Sequence, residues 1–375
     1  MDNKDFLKFN KEILSLKLSI TNACNCRCKY CFVDKKNDFM NLETAQRAIY
    51  FFVSSPGQKK ALILYGGEPL LNPFWKEIVL VGRHTADLLG KKLIIVLATN
   101  GLLLNNESLF FLKKHKVGLT ISIDGKKKFN DTNRMFINNK STFNLLLQKI
   151  RLAFKILGQE NLSALMTISP DLSKYLYENF LSVIKLGFSS THICPIGGVD
   201  WGQQQQNDFV LNFQKITEFC FQSIKDKKFI FLCPLFNPFT AEWIDQKKYQ
   251  NNILCPFYVN LEIYPNGEIS FSQFLINSSD DQVRNQAIIG NINDNSLLTR
   301  YQKCKPSLSS KKCQNCLVNY YGVLADSKFK GDDLIIKRDG IIKKMNDKIY
   351  LDLLKGSKYK DYHKKAQNLM GKLIV

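Results

Sequence analysis

The strongest constraint on this chain is the alternation, over residues 16–196, of short β-rich runs with longer helical patterns. Such alternation is the mark of repeated βα units around a parallel sheet. Six runs are predicted as strands: Leu16 to Asn22, Ala61 to Tyr65, Leu93 to Asn100, Val117 to Asp124, Leu162 to Ile168 and Ser190 to Ile196. Helices are expected over Leu42 to Val53, about Pro73 to Leu89, from near Glu107, through Ser141 to Leu157 and over Ser173 to Leu186. In the fourth of these, Phe143, Leu146, Ile150 and Phe154 recur at three and four residues and so share a face. Consecutive parallel units with right-handed crossovers build either an open doubly wound sheet or an incomplete barrel. Both put function at the carboxyl ends of the strands. There the chain places a cysteine loop after the first run, Gly66 to Pro69 after the second, Asn100 and Gly101 after the third, and Asp124 and Gly125 after the fourth.

The remaining classes are narrowed by composition. A chain of 375 residues that is 45% hydrophobic has enough apolar side chain for a sizeable core, and disorder as its main state is excluded. Runs such as Leu93 to Ala98 and Phe229 to Cys233 fall far short of the ~20 apolar residues a membrane helix needs. No signal peptide is expected from the start, which alternates charged and apolar residues, and the cytoplasm is the expected location. The net charge of +20 would attract an acidic peptide, a nucleic acid or an anionic cofactor. Lysines are spread through almost every segment, so an evenly solvated basic surface is the plainer reading. No RNA-recognition aromatic motif or basic-aromatic ladder stands out, and a nucleic-acid partner is not expected.

Eleven cysteines in such a chain point to metal ligation rather than to a disulfide framework. Cys24, Cys26, Cys28 and Cys31 fall within eight residues, and Cys313 and Cys316 form a CxxC. Cys24, Cys28 and Cys31 are spaced C-x3-C-x2-C directly after a strand. Three thiolates on one loop can hold three irons of a four-iron four-sulfur cluster and leave the fourth open. By spacing alone a tetrahedral zinc site made by all four cysteines is equally a thiolate chemistry.

The sequence resembles the radical S-adenosylmethionine (SAM) enzymes. Their C-x3-C-x2-C motif is followed here by Phe32, and the resemblance continues through GGEP at Gly66 to Pro69, TNG at Thr99 to Gly101, SIDG at Ser122 to Gly125 and D-x-x-R at Asp131 to Arg134. It implies a partial (β/α)6 TIM-like barrel, a [4Fe-4S] cluster on Cys24, Cys28 and Cys31, and bound SAM. By similarity Gly66, Gly67 and Glu68 hold the methionine amino group, Glu68 accepting from the ammonium. Ser122 and Arg134 meet the ribose and carboxylate region, Asp124 and Asn100 stand behind them, and Phe32 lies near the adenine. Cys26, off the spacing, is expected to point away from the cluster. In the implied chemistry the reduced cluster cleaves SAM to a 5′-deoxyadenosyl radical, which abstracts hydrogen from a substrate. An external donor such as flavodoxin or ferredoxin would supply the electron.

After Gly198 the pattern breaks. A polar connection runs from Trp201 to Phe209, a helix from about Phe209 to Lys225, and a hairpin is expected around the turn at Pro265 to Gly267. The expected organisation is a barrel at 1–200, a helical connection at 201–252, a smaller α+β extension with the hairpin at 253–327 and a basic helical tail at 328–375. The extension resembles the SPASM or twitch domains of peptide maturases and sulfatase-maturing enzymes, which carry further clusters. Cys255, the turn at Gly267, Gly290 to Ile292 and the CxxC fit that pattern, whereas Ser272 and Gly322 stand where cysteines are expected. Cys255, Cys304, Cys313 and Cys316 are left as one possible site, open between one auxiliary cluster, a structural zinc and no metal. The expected substrate is a peptide or protein side chain, which is crosslinked, epimerised or oxidised. Only 23 residues precede Cys24, too few for a winged-helix leader-binding segment, so a leader is expected to be held by the basic surface, by the C-terminal region or by a separate partner protein. Cys194 and His192 share a face of the sixth strand, where a packed thiol is the plainer reading and a hydrogen donor the sharper one. Cys220 and Cys233 read as core, and no catalytic acid or base is assigned.

Overall fold

A computed structural model describes residues 13–196, 199–223, 230–232, 260–270, 276, 284–285 and 288–294. Strands β1 (Ser15–Thr21), β2 (Lys59–Gly66), β3 (Lys92–Thr99), β4 (Val117–Ser122), β5 (Leu162–Ile168), β6 (Ser190–Pro195) and β7 (Phe231–Leu232) pair in strictly sequential, parallel order. A doubly wound sheet would reverse direction partway along this order. The sequential order therefore selects the partial barrel, and the sheet stays unclosed.

Helices α1 (Leu42–Ser54), α2 (Trp75–Leu88), α3 (Asn106–Lys114), α4 (Lys127–Asn133), α5 (Phe143–Leu157), α6 (Leu176–Lys185) and α7 (Gln203–Ser223) fill the crossovers and follow β6. Local chemistry sets several of their ends. Asn41 caps α1 by accepting from Thr44 N at 2.8 Å, and Asn105 and Ser108 form a reciprocal capping box on α3. The sequence reading missed α4 and took Trp201 to Phe209 as a polar connection, but α7 opens at Gln203. Glutamine is a good helix former, and Gln203 and Gln204 donate one turn ahead to Asn207 and Asp208, both at 2.9 Å. Trp201, 2% exposed, donates through its indole N–H to Ile196 O and anchors the entry.

The expected hairpin is present as β8 (Asn260–Ile263) and β9 (Glu268–Ser270) around the turn at Gly267, whose φ is +85°. A further strand unforeseen from sequence, β10 (Ile288–Asn291), joins β9. The hairpin continues the barrel sheet, because β8 pairs in parallel with the outer edge of β1, from Ser15 opposite Asn260 to Leu18 opposite Ile263.

The two faces of the barrel differ. Leu62 and Ile95 face α2, where a Cβ added at Gly82 would lie 3.2 and 3.1 Å from their methyls. With Leu16, Leu18, Ile20, Leu64, Leu97 and Ile121 they form a fully buried jacket. Alternate residues face inward: Lys17, Ile63, Tyr65, Val96, Ala98, Thr120, Ser122, Ser163, Leu165, Thr167, His192 and Cys194, all only half-buried. A closed barrel fills this position with branched aliphatic layers. Here the inward positions mix small and polar residues with Ile63, Tyr65, Val96 and Leu165, and all keep partial solvent contact. No helix among the described residues is long and apolar enough to cross a membrane.

Candidate active site

Beyond Thr21 the chain leaves β1 into the cysteine loop. Thr21 Oγ1 donates to Asp38 O and accepts from Ala23 N, while Asp38 accepts from both the backbone and the side chain of Asn22. Arg27 lies across the loop and donates to Cys24 O and Cys26 O, each at 3.0 Å. Its backbone N–H reaches Met135 O, and that of Lys29 reaches Asn133 O, so the loop is tied to the end of α4 and the segment just after it.

Cys24, Cys28 and Cys31 are half-buried, whereas Cys26 is 2% exposed. Cys26 is withdrawn, and its thiol is hydrogen-bonded to that of Cys24. The hydrogen bond from Cys26, helped by Lys35 and opposed by burial, draws the Cys24 thiol down to about 6. The same bond, with burial, pushes Cys26 far up, so Cys26 keeps its proton. Burial raises the Cys28 thiol, with Arg134 opposing. Lys35 places its ammonium 2.9 Å from Cys31 Sγ; burial alone would lower its pKa, and the sulfurs of Cys31, Cys24 and Cys28 more than reverse this.

Among the described residues no three His, Cys, Asp or Glu side chains converge on the space of a single ion. A four-cysteine zinc centre is therefore not preformed. A four-iron cubane, being larger than one ion, does not require such convergence. Three half-exposed thiols, one of them readily ionised and an ammonium beside another, fit a cluster held at three corners. Cys255, Cys304, Cys313, Cys316 and Cys233, with Ser272 and Gly322, lie outside the described residues.

The second motif packs two loops together. A Cβ on Gly66 would lie 2.2 Å from Thr21 O, and one on Gly67 would lie 2.2 Å from Ala23 O and 2.6 Å from Asn22 O. The glycines thus let the β2 loop press against the cysteine loop itself, where Gly67 N donates to Thr21 O and Glu68 N to Ala23 O. Glu68, expected to receive an ammonium, is fully buried. Its carboxylate accepts from Thr99 Oγ1 at 2.7 Å, Asn100 N at 2.8 Å and Leu70 N at 3.1 Å, and so ties its own loop to the one after β3. Burial, only partly offset by these donors, raises its pKa to about 7.

Asn100 donates to Asn25 Oδ1 at 2.7 Å and lies 3.8 Å from Cys24 Sγ, which places it beside the first cysteine. Ser122 ends β4 on the inward face. Phe32 is 36% exposed at the loop's end. Arg134, expected at a carboxylate, is buried with Asp124: its Nη2 lies 3.0 Å from Asp124 Oδ1 and its Nε 2.9 Å from Oδ2. The Nε–H is not aligned for a hydrogen bond, so that contact is an ion pair only. Asp124 also accepts from Thr167 N at 2.9 Å and from Tyr30 OH at 2.6 Å, and the guanidinium sits 5.3 Å above the Tyr30 ring. Sequence reasoning passed over Tyr30. Its signal was an aromatic inside the cysteine loop itself, between Cys28 and Cys31. His192 and Cys194 do share the inward face of β6, and burial lowers the His192 imidazole to about 4, so it is neutral near pH 7. Cys220, fully buried on α7, is core as expected.

Residues 18–174 match the family model described as the radical SAM superfamily. Among curated proteins, the chain is 26% identical over 140 residues to the radical SAM cyclopropyl synthase TigE of Paramaledivibacter caminithermalis, covering 32% of this chain and 29% of that protein. It is 29% identical over 123 residues to a GTP 3′,8-cyclase of Actinobacillus pleuropneumoniae, covering 31% and 34%. The chain thus spans about a third of the length of these relatives. Among solved structures, anSMEcpe with bound AdoMet and Cp18Cys peptide superposes with a TM-score of 0.67 at 16% identity, over 91% of this chain and 98% of that one. SuiB of Streptococcus suis bound to its precursor peptide SuiA gives 0.57 at 13%, over 86% and 75%. At these identities the likeness establishes the partial-barrel fold.

Proposed function

We propose that the chain, whose residues 18–174 match the radical SAM superfamily model, is an enzyme of that superfamily that holds a [4Fe-4S] cluster on Cys24, Cys28 and Cys31, binds SAM beside it and modifies a peptide or protein side chain. The observation that carries this reading is the division of the loop into three half-exposed thiols and one buried one, which provides three cluster ligands and no fourth. When bound, cluster and SAM together supply one electron and a 5′-deoxyadenosyl radical able to take hydrogen from the substrate. The chain's own residues position and shield. Arg27 fixes the loop carbonyls, the backbone of Gly66 to Glu68 lines its side, Tyr30, Asp124 and Arg134 wall it near Cys28, and Phe32 offers a ring for the adenine. Ser122 and Asn100 stand at the same rim.

A peptide substrate is supported by the fold's likeness, over most of its length, to two enzymes whose structures contain peptides. The inward face of the sheet, which carries half-buried Thr120, Ser122, Ser163, Thr167 and His192, suits an extended polar chain. An acidic flavodoxin or ferredoxin suits the basic chain as electron donor, and the cytoplasm is the place for both. The GTP 3′,8-cyclase relatives favour a second reading, a small nucleotide substrate. Anaerobic reconstitution with iron and sulfide, followed by a reductant-dependent assay for 5′-deoxyadenosine, tests the core of the proposal. About four irons per chain with product supports one cluster, and about eight supports an auxiliary cluster on Cys255, Cys304, Cys313 and Cys316. A loaded protein that makes no 5′-deoxyadenosine sinks it. Comparing product burst with a peptide panel and with GTP separates the two substrate classes.

A further inference from the structure

The cysteine loop has two sides, and substrate and SAM are assigned only to the inner one. From Cys26 to Tyr30 burial alternates along the chain. Cys26 is buried, Cys28 packs against the core and Tyr30 reaches in to Asp124, whereas Arg27 and Lys29 are exposed. The segment after α4 extends this outer side, because it is joined to the loop through Arg27 N, Lys29 N and a bridge between Cys26 and Phe136. There Phe136 N donates to Lys140 O and Asn139 N to Phe136 O, closing a tight turn in which Asn139 takes φ +60°. The turn presents Ile137, 58% exposed, with Lys140 exposed beside it. Lys29 and Lys140 have no carboxylate partner among the described residues, whereas Lys126 and Lys127 are held by Glu178 and Asp131. Asp131 is itself covered, accepting also from Ser141 Oγ and Phe143 N. The outer side thus carries unpaired positive charge and one exposed apolar side chain, directly behind Cys28.

We propose that this outer side, formed by Arg27, Lys29, Ile137 and Lys140, is the docking surface for the electron donor, an acidic flavodoxin. This rests on the cluster reading above and deepens it by giving the electron its own entrance. Consecutive Cα atoms lie ~3.8 Å apart, so a carrier seated on Arg27 or Lys29 is within about one side-chain length of Cys28. The inner side is walled by Tyr30, Asp124 and Arg134. Donor and substrate therefore approach from opposite sides and do not compete. Charge complementarity selects the partner. Carboxylates ringing a bound flavin meet Lys29 and Lys140, and Ile137 meets the apolar dimethylbenzene edge of the flavin. The chain's net charge of +20 draws the same partner at long range. In each encounter the anionic flavin hydroquinone gives one electron to the 2+ cluster, leaving a neutral semiquinone and a 1+ cluster. No proton moves, and no bond forms or breaks.

The test uses the full chain, anaerobically reconstituted and also without cluster, and a purified flavodoxin. In the wild-type protein a water-soluble carbodiimide should join flavodoxin carboxylates to Lys29 and Lys140, read by mass spectrometry, and added salt should suppress the links. This readout needs no variant and so no refolding. Calorimetric binding of oxidised flavodoxin to cluster-free protein should weaken at least about tenfold in Lys29→Glu/Lys140→Glu and several-fold in Ile137→Ser. Lys113 and Lys114 end α3 just before β4 begins, at the opposite end of the barrel. The matched reversal Lys113→Glu/Lys114→Glu should leave binding within about twofold. In stopped flow, Lys29→Glu/Lys140→Glu should accept electrons from flavodoxin hydroquinone at least about tenfold more slowly, yet from photoreduced 5-deazariboflavin, an uncharged donor, at the wild-type rate. Equal weakening by the two charge reversals would reduce the effect to net charge and overturn the proposal. So would links confined to other lysines, or a [2Fe-2S] ferredoxin that depends on Lys29 and Lys140 while flavodoxin does not. A loaded protein that makes no 5′-deoxyadenosine with the deazaflavin fails the cluster reading, whereas one that makes it but binds flavodoxin elsewhere fails only the docking surface.

Discussion

At the scale of single residues, the cysteine loop is tuned by neighbours that its spacing does not reveal. Lys35 donates to Cys31 Sγ at 2.9 Å, and a positive charge there favours the more negative, reduced cluster. A charge-assisted hydrogen bond of about 1.5–3 kcal/mol corresponds, for one electron, to on the order of 60–120 mV. Lys35→Met is expected to lower the midpoint potential of the SAM-free cluster by about that much, and Lys35→Arg to restore most of it, in a redox titration followed by EPR. Cys26→Ala should still take up about four irons, whereas Cys24→Ala should lose most of its iron; equal loss in both would favour four-thiolate binding. Glu68 gives a pH signature. Its folded pKa, about 7, lies above the ordinary carboxyl value, so the native state holds a proton that the unfolded state has already released. Its contribution is full at low pH and fades as pH rises from about 4.5 through 7. Chemical denaturation between pH 5 and 8 should show this downward slope in the wild type and a flatter one in Glu68→Gln. These details were not legible beforehand, because GGEP names its residues without saying which side of the loop each faces.

At the scale of elements, the loops are spaced by backbone contact. Gly67→Ala forces a Cβ to within 2.2 Å of Ala23 O, and neither partner is a flexible side-chain tip. Separation of the two loops is expected, with a loss of at least ~2 kcal/mol and weak iron uptake, measured by urea denaturation and iron analysis. The six parallel strands were legible because apolar runs of strand length, separated by helix-period patterns, leave few other folds; β5 matches residue for residue. The start of α7 was not, since four glutamines look like a linker until their i to i+4 pairing and the burial of Trp201 are seen. The pairing of β8 with β1 was hidden too: turn chemistry at Gly267 announces a hairpin but not the edge it joins.

For the molecule as a whole, the barrel has a packed jacket and an inward face that is only half-buried. Ser163 and Ala164 are neighbours on β5, one half-buried and inward, the other 0% exposed against the helices. Ala164→Phe should cost about 1–3 kcal/mol or more by overpacking, while Ser163→Phe should shift unfolding by less than about 1 kcal/mol. Equal costs would mean that the interior is filled. The same organisation has a consequence for biosynthesis. The strand that delivers the cysteines has its outer edge sealed by β8, and Lys17 and Glu262 lie 245 positions apart in the chain. On the ribosome, β1 must wait with unpaired amides until the second half of the polypeptide emerges, open to wrong pairing and to oxidation of its thiols. Slow maturation, helped by early cluster loading or a chaperone on that naked edge, is the cost of closing a fold with its distant end.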